Sequence, residues 1–241
     1  MKNYDPKMSF DTDSAEVYDV MDRREDTPET VAFLQSLAGS GPALELAIGT
    51  GRVALPLAAC GIRVDGIDFS PAMVAKLRAK PGGDALTVTM GDIAAVPVEG
   101  AYRLIYVVFN TLFNLLTQDE QVRCFENVAA HLADDGVFVV EAYVPAAFPG
   151  DQYVRAEGIE VDEVKLDVAR LDPVKQLYYE SHVVLSREGV RLFPIVQRYS
   201  WPSELDLMAR IAGLRLRDRF GGWRREPFTA SSRDHVSVYG R

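Results

Sequence analysis

The short run Ala43 to Ile48 ends in Gly49-Thr50-Gly51 and passes at once into the helical stretch Val53 to Ala59. Strand, glycine turn and helix in that order leave few folds open, because a helix directly after a strand is what carries the chain back to start a parallel neighbour. The pattern repeats. Val64 to Ile67 closes on Asp68 and leads to Ser70-Pro71, where serine caps a helix and proline fits its first turn. Leu86 to Met90 closes on Gly91-Asp92, Leu104 to Phe109 is apolar throughout, and Val137 to Val144 follows the amphipathic stretch Gln118 to Leu132. Strands apolar on both faces belong in a parallel sheet with helices on both sides, which predicts a doubly wound α/β architecture. Residues 14–38 carry a helical pattern interrupted at Thr27-Pro28 and predict a helix covering that sheet.

The pattern changes after the fifth strand. Segments near 158–170, 175–186 and 190–200 are strand-like and are separated by Leu171-Asp172-Pro173 and Arg187-Glu188-Gly189. These hairpin signals predict a small antiparallel β insertion over residues 151–201. A helix at 202–212 and strands at 214–220 and 235–239 predict an antiparallel pair finishing the main sheet. A chain of 241 residues buries enough surface as one domain to need no staples, and Cys60 and Cys124 match neither a disulfide framework nor a zinc spacing, so no metal is expected. The balance of 26 basic and 35 acidic residues, net −9, opposes a phosphate-tracking surface, so no nucleic-acid partner is expected. No run approaches the ~18 apolar residues of a membrane helix, and the start of the chain lacks the apolar core of a leader. A soluble, cytoplasmic protein with no membrane partner is expected.

In an open parallel sheet, ligands bind beyond the carboxyl ends of the strands, and here those ends carry Gly49 and Gly51, then Asp68, then Asp92, then Phe109-Asn110. Glycines let backbone approach a ligand closely. Asp68 is placed to accept both hydroxyls of a ribose, Asp92 to accept from an adenine amine, and Phe69 and Met73 to offer apolar surface to the ring. The set asks for an adenosine. Gly49-Thr50-Gly51-Arg52-Val53-Ala54 also satisfies the dinucleotide fingerprint, so a nicotinamide oxidoreductase is a rival reading. Against it, Glu45 stands where a diphosphate would be repelled, and no Tyr-x-x-x-Lys pair occurs.

The stretches ALELAIGTGRVALPLA (43–58), VDGIDFSPAMVAKLRAK (64–80), MGDIAAV (90–96) and IYVVFNTLFNLL (105–116) together resemble the class I S-adenosylmethionine-dependent methyltransferases, over nearly the whole chain. The resemblance implies a Rossmann-like seven-stranded sheet with an antiparallel terminal strand, and the antiparallel insertion as a lid. It implies S-adenosyl-L-methionine as cofactor, with Glu45 near its methionine amine, Asp68 at the ribose and Asp92 at the adenine. Ala47, Gly49, Gly51, Phe69, Met73, Ile93, Phe109 and Asn110 would complete that site, Ala47 standing where the family often has glycine. SELDLMARIAGLRL (203–216) and REPFTASSRDHVSVY (225–239) are similar to the cypemycin-type N-terminal α-N-methyltransferases, while AEVYD (15–19) and the insertion resemble the dTDP-amino-sugar N,N-dimethyltransferases. These imply methyl transfer to an amine or hydroxyl of a small molecule or short peptide, in the setting of secondary metabolism, by a chain that admits a homodimer.

Three residues are candidates for the reacting end. In the amino-sugar relatives, a tyrosine matching Tyr18 caps the cofactor. Relatives place a polar residue near the methyl acceptor at the position of Asn114, which reads equally well as a helix cap. His182 shares a strand face with Tyr178 and Glu180 by period two, which puts a base titrating near neutrality against the acceptor or leaves it on a solvated sheet face. An amine that arrives neutral needs little acid–base help; a hydroxyl acceptor needs such a base. Arg215, Arg217 and Arg219 read as a charged edge strand. A noncatalytic adenosine-binding protein is the remaining alternative.

Overall fold

The computed structural model describes residues 9–21, 24–148 and 150–241. The start of the chain, whose composition bears on a leader, lies outside the described residues up to residue 8. Strands β1 (Ala43–Leu46), β2 (Val64–Asp68), β3 (Thr87–Met90), β4 (Tyr102–Val107) and β5 (Leu132–Tyr143) pair in parallel in the order β3-β2-β1-β4-β5. An antiparallel sheet of four strands follows: β6 (Gln152–Ile159), β7 (Glu163–Asp172), β8 (Leu177–Ser186) and β9 (Gly189–Arg198), paired in sequence order. The chain then returns to the main sheet, where β11 (Asp234–Gly240) runs antiparallel to β5, and β10 (Arg215–Phe220) pairs antiparallel with β11 at the edge. The seven-stranded sheet with its antiparallel terminal strand is the one the family resemblance implies.

Successive strand residues point to opposite faces, so each strand feeds two cores. Ile105, Val107, Phe138 and Val140 pack beneath α5 (Gln118–His131) and α6 (Pro202–Ile211), against Phe125, Val128, Leu205 and Met208. Leu104, Tyr106, Val137 and Val139 pack on the other face beneath α2 (Thr27–Ala38) and α3 (Ala54–Ala59), against Phe33, Leu34 and Leu57. Local signals set the helix starts. Ser70 Oγ accepts from Met73 N at the head of α4 (Pro71–Arg78), and Thr117 and Glu120 form a reciprocal capping box on α5. Among the described residues, no helix is long and apolar enough to cross a membrane.

Two expectations are corrected. The pattern over 14–38 is two helices, α1 (Thr12–Met21) and α2, since Pro28 lies in the first turn of α2, where its missing N–H is not needed. The insertion has four strands where three are predicted, because the turn at Glu160-Val161-Asp162, closed by Glu160 N donating to Glu163 O at 2.8 Å, contains neither glycine nor proline. The arginines of β10 do form part of an edge strand, in which a register shift falls between Leu216 and Asp218. Arg219 turns inward to Asp206 and Ser237.

His235, on β11, is fully buried, and its Nε2 has no hydrogen-bond partner among the described residues. Burial, with the Arg219 charge adding to it, pushes its imidazole down to about 3 from 6.5. The unfolded chain therefore binds a proton that the folded chain refuses. Stability is intact above about 6.5 and falls as pH drops toward 3, by at most about 1.4 kcal/mol per pH unit from this residue. In chemical unfolding followed from pH 8 to 4, the His235→Leu variant is expected to lose less stability than the wild type over that interval. Parallel curves would show that His235 does not titrate on unfolding.

Candidate functional site

In the order β3-β2-β1-β4-β5 the chain reverses direction of winding between β1 and β4, and the loops after these strands part to leave a crevice. The loop after β1 enters it in left-handed backbone, with φ of 59° at Ala47, 56° at Gly49 and 79° at Gly51. For alanine that conformation costs about 1–2 kcal/mol. A Cβ on Gly49 would stand 3.4 Å from Met73 Cε, inside the crevice. On Gly51 it would meet Leu55 and Leu77 at 3.0–3.1 Å, so Gly51 serves the packing of α3 against α4.

Asp68 ends β2 and is buried; its Oδ2 accepts from Gly49 N at 2.7 Å and its Oδ1 from Ser70 N at 2.8 Å. Burial raises its pKa even so. The carboxylate keeps acceptor capacity beyond these bonds and forms part of the wall of a cavity of about 590 Å³. Tyr18, Ala47, Gly49, Phe69, Met73, Asp92 and Ile93 line the same cavity. Asp92 stiffens its own turn, accepting from Ala94 N at 2.8 Å through Oδ1.

Other candidates lie elsewhere. Glu45 points into the core, where it is 3% exposed, and Tyr106 OH donates to its Oε2 at 3.0 Å. Burial pushes its carboxyl up to about 8, and neither it nor Gly51 lines either cavity described here. Phe109 and Asn110 follow β4 with φ of 59° each. These left-handed residues turn the chain toward β5, where Phe109 N donates to Glu141 Oε2 and Tyr143 N to Asn110 Oδ1, both at 2.7 Å. They face a second cavity, of about 620 Å³, and not the first.

The two cavities share Ser9, Phe10, Tyr18, Thr111, Asn114 and Ile195. Helix α1 and the residues before it thus roof both. Asp19 of α1 accepts from Thr50 Oγ1 at 2.6 Å and pairs with Lys80 at 2.6 Å, while Ser70 Oγ donates to Phe10 O at 2.6 Å. Asn114 stands at the junction, accepting from Gln197 Nε2 at 3.3 Å. It does not cap α5, a role Thr117 takes.

The insertion walls the second cavity. His182 and Glu180 face it with Asp167 of β7, directly opposite His182. His182 Nδ1 is hydrogen-bonded to Asp167 Oδ1 at 2.5 Å, and Arg155 Nη2 donates to Asp167 Oδ2 at 3.1 Å. Burial works against the Asp167 charge, yet His182 and Arg155 outweigh it and hold the carboxyl below its usual range. Tyr178 OH donates to Glu180 Oε1 at 2.6 Å and is itself hydrogen-bonded to Tyr153 OH. Burial raises the pKa of Glu180. Side-chain ligand atoms of Asp167, Glu180 and His182 lie within 4.8 Å of one another. Phe148 stacks on Tyr178 at 4.9 Å between centroids, with Tyr143 edge-on to both. Sequence reasoning finds Tyr178, Glu180 and His182 by period two; it misses Asp167, which the same alternation along β7 puts on the cavity face, and it misses Ser9 and Phe10, which carry no local signal.

A family model described as a methyltransferase domain matches residues 43–136. The CcbJ methyltransferase from Streptomyces caelestis is 40% identical, over 98% of this chain and 99% of that one, with a TM-score of 0.93. The cypemycin N-terminal methyltransferase of Streptomyces sp. is 26% identical over 201 residues, 82% of each chain. CalS10, an amino pentose methyltransferase from Micromonospora echinaspora solved with its cofactor bound, shares the fold at 22% identity and a TM-score of 0.72, over 93% of this chain and 97% of that one.

Proposed function

We propose that this chain, which belongs to the S-adenosylmethionine-dependent methyltransferases, methylates an amine nitrogen of a small molecule or short peptide. The cofactor supplies a methyl group on a sulfonium sulfur, a carbon already activated for displacement. Residues of the first cavity fit it: Asp68 for the ribose hydroxyls, Asp92 for the adenine amine, Phe69, Met73 and Ile93 for the ring, and the backbone at Gly49 where no Cβ intervenes. With the family established, the dinucleotide fingerprint in the glycine turn no longer argues for a nicotinamide enzyme.

The observation that carries the acceptor class is Glu180, a half-buried carboxylate that accepts from Tyr178 in a cavity also lined by Tyr143 and Phe148, which meets the first cavity at Tyr18 and Asn114. A carboxylate with aromatic walls suits a cationic amine. The cypemycin relative, named for a peptide N-terminus, supports nitrogen as the acceptor atom. The insertion then acts as a lid that excludes water and carries acceptor choice, as segments outside a scaffold commonly do. A hydroxyl acceptor is the second reading, favoured by the Asp167–His182 pair, which would furnish the base it requires.

A mass-spectrometric screen of amine and hydroxyl compounds with S-adenosylmethionine tests this. Methylated amines are expected, and methylation confined to hydroxyl compounds would reverse the assignment. Glu180→Gln is expected to raise the acceptor KM tenfold to a hundredfold, about 1.5–3 kcal/mol for a charged hydrogen bond, while S-adenosylhomocysteine binds as before by calorimetry. Lost cofactor binding with a normal acceptor KM would make the insertion a brace and not a lid.

A further inference from the structure

We propose that the acceptor enters as its ammonium ion and is deprotonated in the cavity, with Glu180 holding the charge and His182, oriented by Asp167, taking the proton. The proposal rests on the amine reading above and adds its acid–base chemistry. Asp167 and His182 are directly opposed on paired strands, the closest cross-strand relation a sheet provides. The Asp167 carboxylate can only accept, so the ring nitrogen facing it, Nδ1, carries the hydrogen and Nε2 carries the lone pair in the neutral imidazole. Arg155 holds the second oxygen of Asp167 at 3.1 Å, which fixes the carboxylate and through it the ring.

The lone-pair atom faces the right neighbour. His182 Nε2 lies 3.9 Å from Glu180 Oε2, too far for a mutual hydrogen bond and a separation that an amine nitrogen about 2.9 Å from each atom would bridge. Tyr178 ties Glu180 through Oε1, leaving Oε2 as the oxygen on the His182 side. The charges around His182 favour the same arrangement. On its own strand stand Glu180 and Tyr178, on β7 Asp167 and Lys165, and on β6 Arg155 and Glu157; Arg24 comes from beyond α1, which itself offers Ser14 and Tyr18, and β9 brings Phe193 without charge. Arg155 pairs with Asp167 and Glu157, Lys165 with Glu163, and Arg24 with Asp26 and Glu141. Among the described residues, the ionisable partner of Glu180 is His182 itself, at 3.9 Å, and that ring carries a charge only once it has taken the proton.

The bookkeeping of the step closes. An N–H bond of the ammonium ion breaks and its proton goes to His182 Nε2. The nitrogen lone pair so freed forms the N–C bond to the methyl carbon as the C–S bond breaks, the departing pair staying on sulfur. The His182 side chain, 39% exposed, then returns the proton to solvent.

Two measurements on the full chain test this, and one does not depend on turnover. With three histidines in the sequence, long-range proton–nitrogen spectra of the S-adenosylhomocysteine complex resolve His182. The Nδ1–H tautomer is expected in the wild type, with a mixed or Nε2–H ring in Asp167→Asn. A wild-type ring protonated at Nε2 overturns the proposal. For the kinetics, the probes are the dipeptide Ala-Ala and benzylamine, an α-amine and a more basic alkylamine. In the wild type the rate is expected to rise with pH to the same midpoint for both, because an enzyme group titrates. In Asp167→Asn and His182→Gln the midpoint is expected to move to each amine's own pKa, with rates at pH 7 lower by about 100-fold and recovering at high pH, while S-adenosylhomocysteine affinity is unchanged. A wild-type midpoint that tracks the probe, with methylation intact, overturns this proposal and leaves the amine reading standing. Turnover of catechol but of neither amine overturns both. Loss of turnover in EDTA with recovery in magnesium would assign Asp167, Glu180 and His182 to a cation and overturn the proton transfer.

Discussion

Asp68→Ala is expected to lose about 2–4 kcal/mol of S-adenosylmethionine affinity, the range for truncating a buried charged hydrogen-bond partner. The effect has two parts. The carboxylate is the group proposed to accept the ribose hydroxyls, and it also receives Gly49 N and Ser70 N, so the glycine turn loses the contact that holds it against β2. Asp68→Asn keeps one acceptor oxygen and separates these parts: it is expected to bind more tightly than the alanine variant and less tightly than the wild type. Calorimetry with S-adenosylmethionine and S-adenosylhomocysteine, beside thermal unfolding to establish that the variants are folded, is the measurement. Unchanged affinity in a folded alanine variant would remove Asp68 from the site.

Arg198→Met is expected to destabilise the fold by about 3–5 kcal/mol, the range for removing one partner of a buried ion pair, and to lower Tm by about 6–20 °C in a domain of this size. Arg198 is buried where β9 leaves the insertion for α6. Its Nη1 donates to Gln121 Oε1 and Ser200 Oγ, both at 2.9 Å, and its Nη2 to Gln176 Oε1 at 3.0 Å and Glu204 Oε1 at 2.7 Å. One guanidinium thus joins α5, α6 and the turn between β7 and β8. Burial opposes the Glu204 charge, but Arg198, with Gln176 and Gln118, holds its carboxyl below the usual range. Methionine of similar length takes the cation from that carboxylate, which keeps only the neutral donors Gln118 and Gln176, and removes a donor from Gln121 Oε1, Ser200 Oγ and Gln176 Oε1. Because this knot anchors the insertion, the variant is also expected to raise the acceptor KM more than it weakens S-adenosylhomocysteine binding. A Tm within about 2 °C of the wild type, under 1 kcal/mol at this size, would show that the network contributes nothing net.

What the sequence by itself determined was whatever lies close along the chain. Apolar runs closed by Gly49, Asp68 and Asp92 dictate parallel strands, and parallel strands put their carboxyl ends on one edge of the sheet. Ala47, Gly49, Asp68, Phe69, Met73, Asp92 and Ile93 therefore reach one cavity as a consequence of backbone direction. Period two likewise puts Tyr178, Glu180 and His182 on one face. Tertiary structure alone decided what each of these residues meets. The register of β7 against β8 sets Asp167 opposite His182, and a slip of one residue would have turned every side chain of the strand to the other face. Glu45 is close in sequence to the glycine turn, yet the alternation of β1 and the packing of β4 deliver it to Tyr106 in the core. Phe109 and Asn110 follow their strand as expected, but their left-handed backbone and the contacts with Glu141 and Tyr143 of β5 send them to the second cavity. The roof over both cavities depends on Asp19 reaching Thr50 and Lys80 across 31 and 61 positions of chain. Contacts of that kind arise only when packing brings distant segments together, since backbone geometry and hydrophobic period act over a few residues and carry no information about which partner lies across the gap.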